Sequence, residues 1–256
     1  MEAHLFEWLN LSIRWLHMIA GIAWIGASFY FVWLNNHVED HPDNKSDVEG
    51  SLWAIHGGAF YYVEKFKVAP PRLPERLHWF KWEAYTTWIS GFSLLVLLYF
   101  WKADLYLIDK QVLDLEPWQA ILISLGILAG GWLVYDVICR SPLGRSNLIT
   151  GVGLSVLTTI VIVLCAHLFS GRGAFMITAS MLGTIMVANV FFVIIPGQWE
   201  LVRAAAENRS PDPEPGRRAA QRSFHNSYIT LPVLFAMISN HFPVTYQNEH
   251  NYIIFI

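Results

Sequence analysis

The chain has 256 residues, of which 54% are hydrophobic and only 14% are charged, with a formal net charge of −3 at pH 7. Soluble domains carry about 25% charged residues, so this composition argues against an ordinary water-soluble domain. The charge also gives no reason to expect nucleic acid as a partner. We therefore predict an all-α, polytopic bundle of helices that crosses a lipid bilayer.

Six apolar segments approach the roughly 20 residues that a transmembrane helix needs. In chain order they are 11–34, 84–101, 118–138, 148–169, 174–195 and 228–242. A seventh apolar run begins at Tyr252 and is cut off at Ile256, where the sequence stops. The pattern predicts six spans plus the start of a seventh, and we expect the sequence to be part of a longer protein.

The distribution of basic residues predicts the orientation of the bundle. The loops after spans one, three and five hold thirteen Lys and Arg residues, whereas the loops after spans two and four hold three. Basic loops stay in the cytoplasm. We therefore predict a membrane protein with its N-terminus outside, and with a long loop (35–83) and a linker (198–227) on the cytoplasmic side.

These two inner segments differ in character. The loop 35–83 contains SLWAIHGGAFYYVEKFKV, in which aromatic and β-branched residues surround a Gly-Gly pair. This pattern favours a small hairpin or a re-entrant segment, and a purely structural cap is the alternative. The linker 198–227 contains SPDPEPG, which is typical of an exposed turn or a short disordered link.

Three histidines lie within the predicted spans, where ionisable side chains are costly and are therefore functional candidates. The predicted orientation places His17, His167 and His241 near the outer face of the bundle. Three histidines at one depth suit a b-type haem or a metal ion. Because imidazole is a good axial ligand for haem iron, we predict a b-type haem bound by these residues, with His17 and His167 as the first choice of iron ligands. Hydrogen-bonded packing residues are the alternative.

A second polar group collects at the predicted inner ends of the spans. Amide, guanidinium, imidazole and carboxyl groups of this kind can bind a small planar anion and exchange a proton with it. The candidate catalytic residues are His56, His225 and Asp136, and the candidate substrate-binding residues are Arg145, Arg140, Asn189, Gln198, Asn226 and Tyr228. The alternative for each is ordinary helix capping or an interfacial salt bridge.

Several motifs point to a family. The stretches RWLHMIAGIAWIGASFYFVWLN, WAIHGGAFY, HLFSGRGAF, GTIMVANVFFVIIPGQ and SNHFPVTY resemble, in this order, the N-terminal membrane domain of the bacterial cytochrome c-linked urate oxidases. The part of the first stretch from His17 onward is also similar to the first helix of membrane protoporphyrinogen oxidases, whose equivalent histidine binds haem. That second, shorter likeness supports His17 as an axial ligand.

The resemblance implies a protein of the bacterial inner membrane that oxidises urate to 5-hydroxyisourate, with electrons leaving through cytochrome c. In typical members a cytochrome c domain follows the last span. It is absent from this sequence, which has no CxxCH motif for covalent haem and no flavin or dinucleotide fingerprint. We expect urate to bind at the inner polar group, where Arg145 or Arg140 anchors it and His225 or His56 accepts a proton.

The sequence is also compatible with two other functions. A haem-binding electron-transfer subunit without substrate chemistry would need the same histidines. A transporter of small molecules or metals would place histidines along its path, and paired broken helices would favour it. Pro232 is the one such break that the sequence suggests.

Overall fold

The structure, a computed structural model, describes residues 2–248 and 250–256. Ten α-helices and one two-stranded antiparallel sheet make up this part of the chain. The helices are α1 (Glu2–His37), α2 (Trp82–Leu94), α3 (Ala103–Tyr106), α4 (Pro117–Arg140), α5 (Asn147–Leu168), α6 (Gly171–Asn189), α7 (Ile195–Ala206), α8 (Pro213–Ser239), α9 (Pro243–Tyr246) and α10 (Asn251–Phe255). The strands are β1 (Val48–His56) and β2 (Ala59–Phe66).

Four of the described helices are long and apolar enough to cross a membrane, judged by length and composition. They are α1, α4, α5 and the continuous helix that α6 and α7 form through a π-helical turn, Val190–Ile194. Large apolar side chains on these helices, such as Trp15 on α1 and Leu148 on α5, are exposed. Soluble proteins rarely expose apolar surface on this scale, so the exposure is compatible with a membrane protein.

The other two predicted spans lie outside this set of four. The segment 84–101 forms α2 and a π-helical turn, Leu95–Phe100, and the segment 228–242 occupies the second half of α8. The first half of α8 is polar and takes up part of the predicted linker 198–227, most of which is helical in α7 and α8. The six-span count and the start of a seventh span therefore stay predictions.

Helix α6 is the centre of the bundle. It packs against α2, α4, α5 and α8, and its side chains Phe175, Ile177, Met181, Leu182 and Ile185 are almost fully buried. Small residues on α6 and α4 allow this close approach, as in other membrane bundles. The polar residue Asn189, at the last position of α6, is therefore also placed in the interior.

The π-helical turn after Asn189 has a local cause in the sequence. Pro196 has no backbone N–H, so it cannot donate the usual hydrogen bond to the carbonyl four residues earlier. The helix widens over Val190–Ile194 and continues as α7. Such turns are frequent at functional sites, and this one lies at the polar end of the bundle.

The loop 35–83 contains the predicted hairpin. Strands β1 and β2 pair antiparallel, with His56 opposite Ala59 and Trp53 opposite Tyr62. Gly57 and Gly58 connect them with φ angles of 58° and 80°. Two consecutive positive φ values are typical of a type I′ turn, whose twist matches that of the strands.

We expect Gly57→Val to loosen the hairpin, because a β-branched residue in the left-handed region is strained by about 1–2 kcal/mol. Hydrogen–deuterium exchange over residues 48–66 should become faster. Gly57→Asn is the matched control, since asparagine tolerates this conformation. Equal exchange in the two variants would contradict a turn that depends on positive φ.

Candidate functional site

A buried polar network joins α4, α6 and α8 at the end of the bundle that was predicted to face the cytoplasm. Its members Asp136, Asn189, Arg222, His225 and Asn226 are all less than 9% exposed. Buried charged and amide groups are costly unless they are paired. The hydrogen bonds recorded among these residues therefore explain how the bundle tolerates them.

Arg222 is the centre of this network. Its side chain is 3% exposed, and its Nη2 donates to Asp136 Oδ1 at 2.7 Å while Nη1 donates to Asn189 Oδ1 at 3.2 Å. The guanidinium carbon lies 4.8 Å from the centre of the Tyr135 ring, over its face. Three contacts from α4 and α6 thus fix the orientation of this guanidinium.

Asp136 is shared between two arginines. Its Oδ2 accepts from Arg140 Nε at 2.6 Å, while Oδ1 accepts from Arg222. Arg140 follows Asp136 by one helical turn on α4, so this pair is local, whereas the pair with Arg222 joins α4 to α8. One carboxylate between two guanidinium groups leaves a surplus of positive charge at the site.

The two asparagines orient each other. Asn189 Nδ2 donates to Asn226 Oδ1 at 2.9 Å, and Asn226 Nδ2 donates to the Met186 carbonyl at 3.0 Å. Asn189 Oδ1 then faces Arg222, which only donates hydrogen bonds. The amide orientations are consequently fixed by the network itself.

Tyr135 and His225 form a second arm of the network. The Tyr135 hydroxyl lies 2.8 Å from His225 Nδ1, and His225 Nε2 lies 3.2 Å from Asn147 Oδ1. Gln221 Nε2 also donates to Asn147 Oδ1, at 3.1 Å, so this atom acts as an acceptor. His225 therefore carries its proton on Nε2, and its Nδ1 accepts a hydrogen bond from the Tyr135 hydroxyl.

Burial, with the positive charge of Arg222 as a smaller cause, lowers the pKa of His225 to about 4. The unfolded chain, with an ordinary histidine pKa near 6.5, then binds a proton that the folded chain excludes. We expect His225 to contribute stability that is complete above about pH 6.5 and is lost as the pH falls toward 4. Thermal unfolding of the wild type and of His225→Gln between these pH values checks this: the midpoint of the variant should fall less steeply, and parallel profiles would contradict it.

A cavity of about 380 Å³ lies beside the network. Arg222 and Arg140 contribute one part of its wall, and residues of the π-helical turn contribute another. The complete lining is Arg140, Phe192, Val193, Pro196, Gly197, Glu200, Arg203, Pro215, Arg218 and Arg222. Volumes of 300–1,000 Å³ are typical of small-molecule sites.

The structure brings together five of the residues that the sequence pointed to at this end: Asp136, Arg140, Asn189, His225 and Asn226. The other four, His56, Arg145, Gln198 and Tyr228, are exposed, and no hydrogen bond to the network is recorded for them within residues 2–248 and 250–256. Their roles in catalysis and binding stay predictions.

Sequence reasoning did not select Arg222, Tyr135 or Asn147 for this site. Arg222 precedes His225 and Asn226 by three and four residues, a spacing that places all three on one face of a helix. This spacing is the feature of the sequence from which Arg222 could have been predicted as a member of the site. Tyr135 is the neighbour of Asp136, and nothing in the sequence distinguishes it from the other tyrosines.

His17 has the surroundings of a ligand. Its Nδ1 lies 2.9 Å from the Thr87 carbonyl and 3.2 Å from Ser90 Oγ, both on α2. A carbonyl only accepts, so Nδ1 carries the proton and the lone pair of Nε2 is available. Histidine ligands of metals usually donate their other N–H in this way. A Cβ atom on Gly91 would lie 2.7 Å from His17 Cε1, so glycine is required for this packing.

The other two candidate histidines lie elsewhere. His167 Nδ1 donates to the carbonyl of Val163 at 2.7 Å, and the exposed ring of His167 borders an apolar groove of about 430 Å³ on α5. His241 is exposed just after α8. No contact between these rings and His17 is recorded for the described residues, and the choice of axial pair stays a prediction.

Comparison with known proteins adds one finding. No curated protein and no solved structure matches the chain. A family model described as urate oxidase N-terminal matches residues 3–256, which is nearly the whole chain and agrees with the resemblance in the motifs. The chain belongs to the urate oxidase N-terminal family.

Proposed function

We propose that this chain is the membrane domain of an oxidoreductase that oxidises urate to 5-hydroxyisourate and transfers the electrons through a b-type haem to a cytochrome c. The match to the urate oxidase N-terminal family over residues 3–256 carries the proposal. It supports an oxidoreductase related to urate oxidase, and the four membrane-length helices are compatible with a membrane location.

The balanced reaction shows which molecules the protein must bind and which products it must release. A urate monoanion and a water molecule yield 5-hydroxyisourate, one proton and two electrons. The protein must therefore bind an anion, admit water and remove a proton. The network of Arg222, Asn189, Tyr135 and His225 offers positive charge, amide groups and a neutral imidazole at one end of the bundle, and we place the substrate there.

The network suggests separate roles for the two candidate catalytic residues that it contains. Both oxygens of Asp136 accept from guanidinium groups, so we assign this carboxylate the positioning of Arg222. His225 is neutral, and its Nδ1 accepts from the Tyr135 hydroxyl. We therefore assign the acceptance of the proton to this pair: the Tyr135 oxygen takes the proton from the substrate while the hydroxyl proton passes to His225 Nδ1. His56 keeps its predicted role only if the exposed hairpin lies over the site.

His17 fits a haem. Its Nδ1–H is held by the Thr87 carbonyl, its Nε2 is available for iron, and Gly91 leaves the ring space. His167 and His241 are the candidates for the second ligand. A haem bound there would supply one-electron acceptance from the substrate site and delivery to cytochrome c.

Anaerobic titration of the detergent-purified, haem-loaded protein with urate tests the proposal. We expect urate to reduce the haem, seen as sharpened α and β absorption bands, with 5-hydroxyisourate formed at one molecule per two electrons. Hypoxanthine is the control and should leave the spectrum unchanged. A haem that binds normally but is not reduced by urate would contradict the enzyme. That result would favour the electron-transfer subunit, because the His17 geometry is equally suited to it.

A further inference from the structure

We infer that the cavity beside Arg222 binds a planar heterocyclic anion, with the guanidinium groups of Arg222 and Arg140 as its anchors and Asp136 and Asn189 as positioning residues. The inference rests on the proposed urate chemistry and names the site and the class of ligand. Three features of the cavity support it: its positive charge, the fixed orientation of Arg222, and the apolar residues in its wall.

The charge of the cavity is positive. Four arginines line it, namely Arg140, Arg203, Arg218 and Arg222. Arg218 Nε donates to Glu214 at 2.8 Å and is neutralised there, whereas the one carboxylate among the lining residues is that of Glu200. That carboxylate is itself bound by Arg209 through both oxygens, at 2.6 and 3.1 Å. Asp136 balances one of its two arginine partners, so the wall formed by Arg140 and Arg222 keeps a positive charge for an anion.

The guanidinium of Arg222 is held in a fixed orientation without any ligand. A guanidinium has five N–H donors, and the structure assigns two of those of Arg222, to Asp136 and Asn189. The side chain is 3% exposed, yet it borders the cavity. A buried guanidinium with a fixed orientation loses little entropy when it binds a planar anion through paired hydrogen bonds, unlike the exposed side chains of Arg203 and Arg218.

Another part of the wall is apolar. Phe192 and Val193 of the π-helical turn, with Pro196 of α7, line the cavity. Phe192 packs against Trp132, with 5.0 Å between ring centres. A flat heterocycle can lie against such an aromatic face while its polar edge meets the arginines. This combination distinguishes a planar organic anion from a phosphate group, which has no flat apolar face to bury.

Isothermal titration of the purified full-length protein under anaerobic conditions tests the site. The probes are urate, hypoxanthine as a neutral purine, and inorganic phosphate and short-chain phosphatidylglycerol as competitors. We expect urate to bind at least about tenfold more tightly than hypoxanthine, because hydrogen bonds between the guanidinium groups and an anion are stronger than those to a neutral purine. Neither competitor should displace urate at comparable concentration. Displacement by either one would overturn a site built for a planar ring and would indicate a phosphate site instead.

The variants separate the anchors from general surface charge. Arg222→Lys keeps the positive charge but loses the planar guanidinium with its paired N–H donors. We expect this variant to weaken urate binding about tenfold or more. Arg203→Gln removes the charge of an exposed lining residue and should weaken urate binding less than Arg222→Lys does. Phe192→Ala should weaken urate more than phosphate. Arg72→Gln, an exposed arginine in the loop 35–83, is the matched control and should bind urate as the wild type does.

Asp136→Asn tests positioning. It should raise the KM for urate more than it lowers kcat, with an unchanged haem spectrum, and Asp136→Glu should restore part of the loss. If Arg222→Lys does not fold, Arg140→Gln, which removes the other anchor, and Phe192→Ala decide the question. Urate-dependent haem reduction with all these variants equal to Arg72→Gln would overturn the site and leave the proposed function standing. Failure of the wild type to bind urate or be reduced by it would overturn the function itself.

Discussion

Asp136→Ala should be among the most destabilising single substitutions in the bundle, by about 3–5 kcal/mol, because it leaves a buried guanidinium without its counter-charge. Arg140 can turn outward into solvent, since its side chain is largely exposed, but Arg222 is 3% exposed and cannot. The midpoint of thermal or chemical unfolding in detergent measures the effect.

Two controls isolate the cause. Asp104→Ala removes an exposed aspartate on α3 and should change the midpoint little. The double variant Asp136→Leu, Arg222→Met removes both charges and should recover much of the lost stability, because a buried ion pair contributes little more than apolar groups of similar volume. If Asp136→Ala unfolds like Asp104→Ala, Arg222 has another counter-charge and its role as a fixed anchor is wrong.

The parts of the fold that local patterns determine could be predicted from the sequence. Helices α4 and α5 lie where long apolar runs placed them, because the length of such a run is itself the signal. The hairpin followed from Gly57 and Gly58 between aromatic, β-branched segments. The count of spans is harder, because α8 begins in a polar stretch and its apolar part is short.

The candidate site could be predicted only in part. Asp136, Asn189 and His225 were selected because they lie at helix ends on one side of the predicted membrane. Hydropathy gives this depth along a helix, but it does not give the rotation of each helix about its axis. In the sequence Arg222 therefore resembles an ordinary basic loop residue, although its side chain faces the interior. Tyr228 resembles a site residue, but its side chain is 63% exposed. The π-helical turn after Asn189 changes the rotation of the helix again. The directions of the side chains beyond this turn therefore cannot be predicted from a regular helical period.

His17→Ala should abolish or shift the Soret band of the purified protein, because it removes the candidate ligand whose Nδ1–H is held by a neighbouring helix, α2. Loss of an orienting partner alone costs roughly 10–100-fold in metal affinity, and loss of the ligand should cost more. Ser90→Ala removes one hydrogen-bonding neighbour of Nδ1 and should weaken haem binding by a smaller factor.

The matched control lies on the same helix. His37 Nδ1 donates to the carbonyl of Trp33 at 2.8 Å, but its ring is exposed at the end of α1. His37→Ala should keep the haem spectrum. Gly91→Leu should resemble His17→Ala, because a side chain there would occupy the space of the imidazole. An unchanged Soret band in both His17→Ala and Gly91→Leu would exclude His17 as a ligand, and the haem would then have to be sought at His167 and the apolar groove beside it.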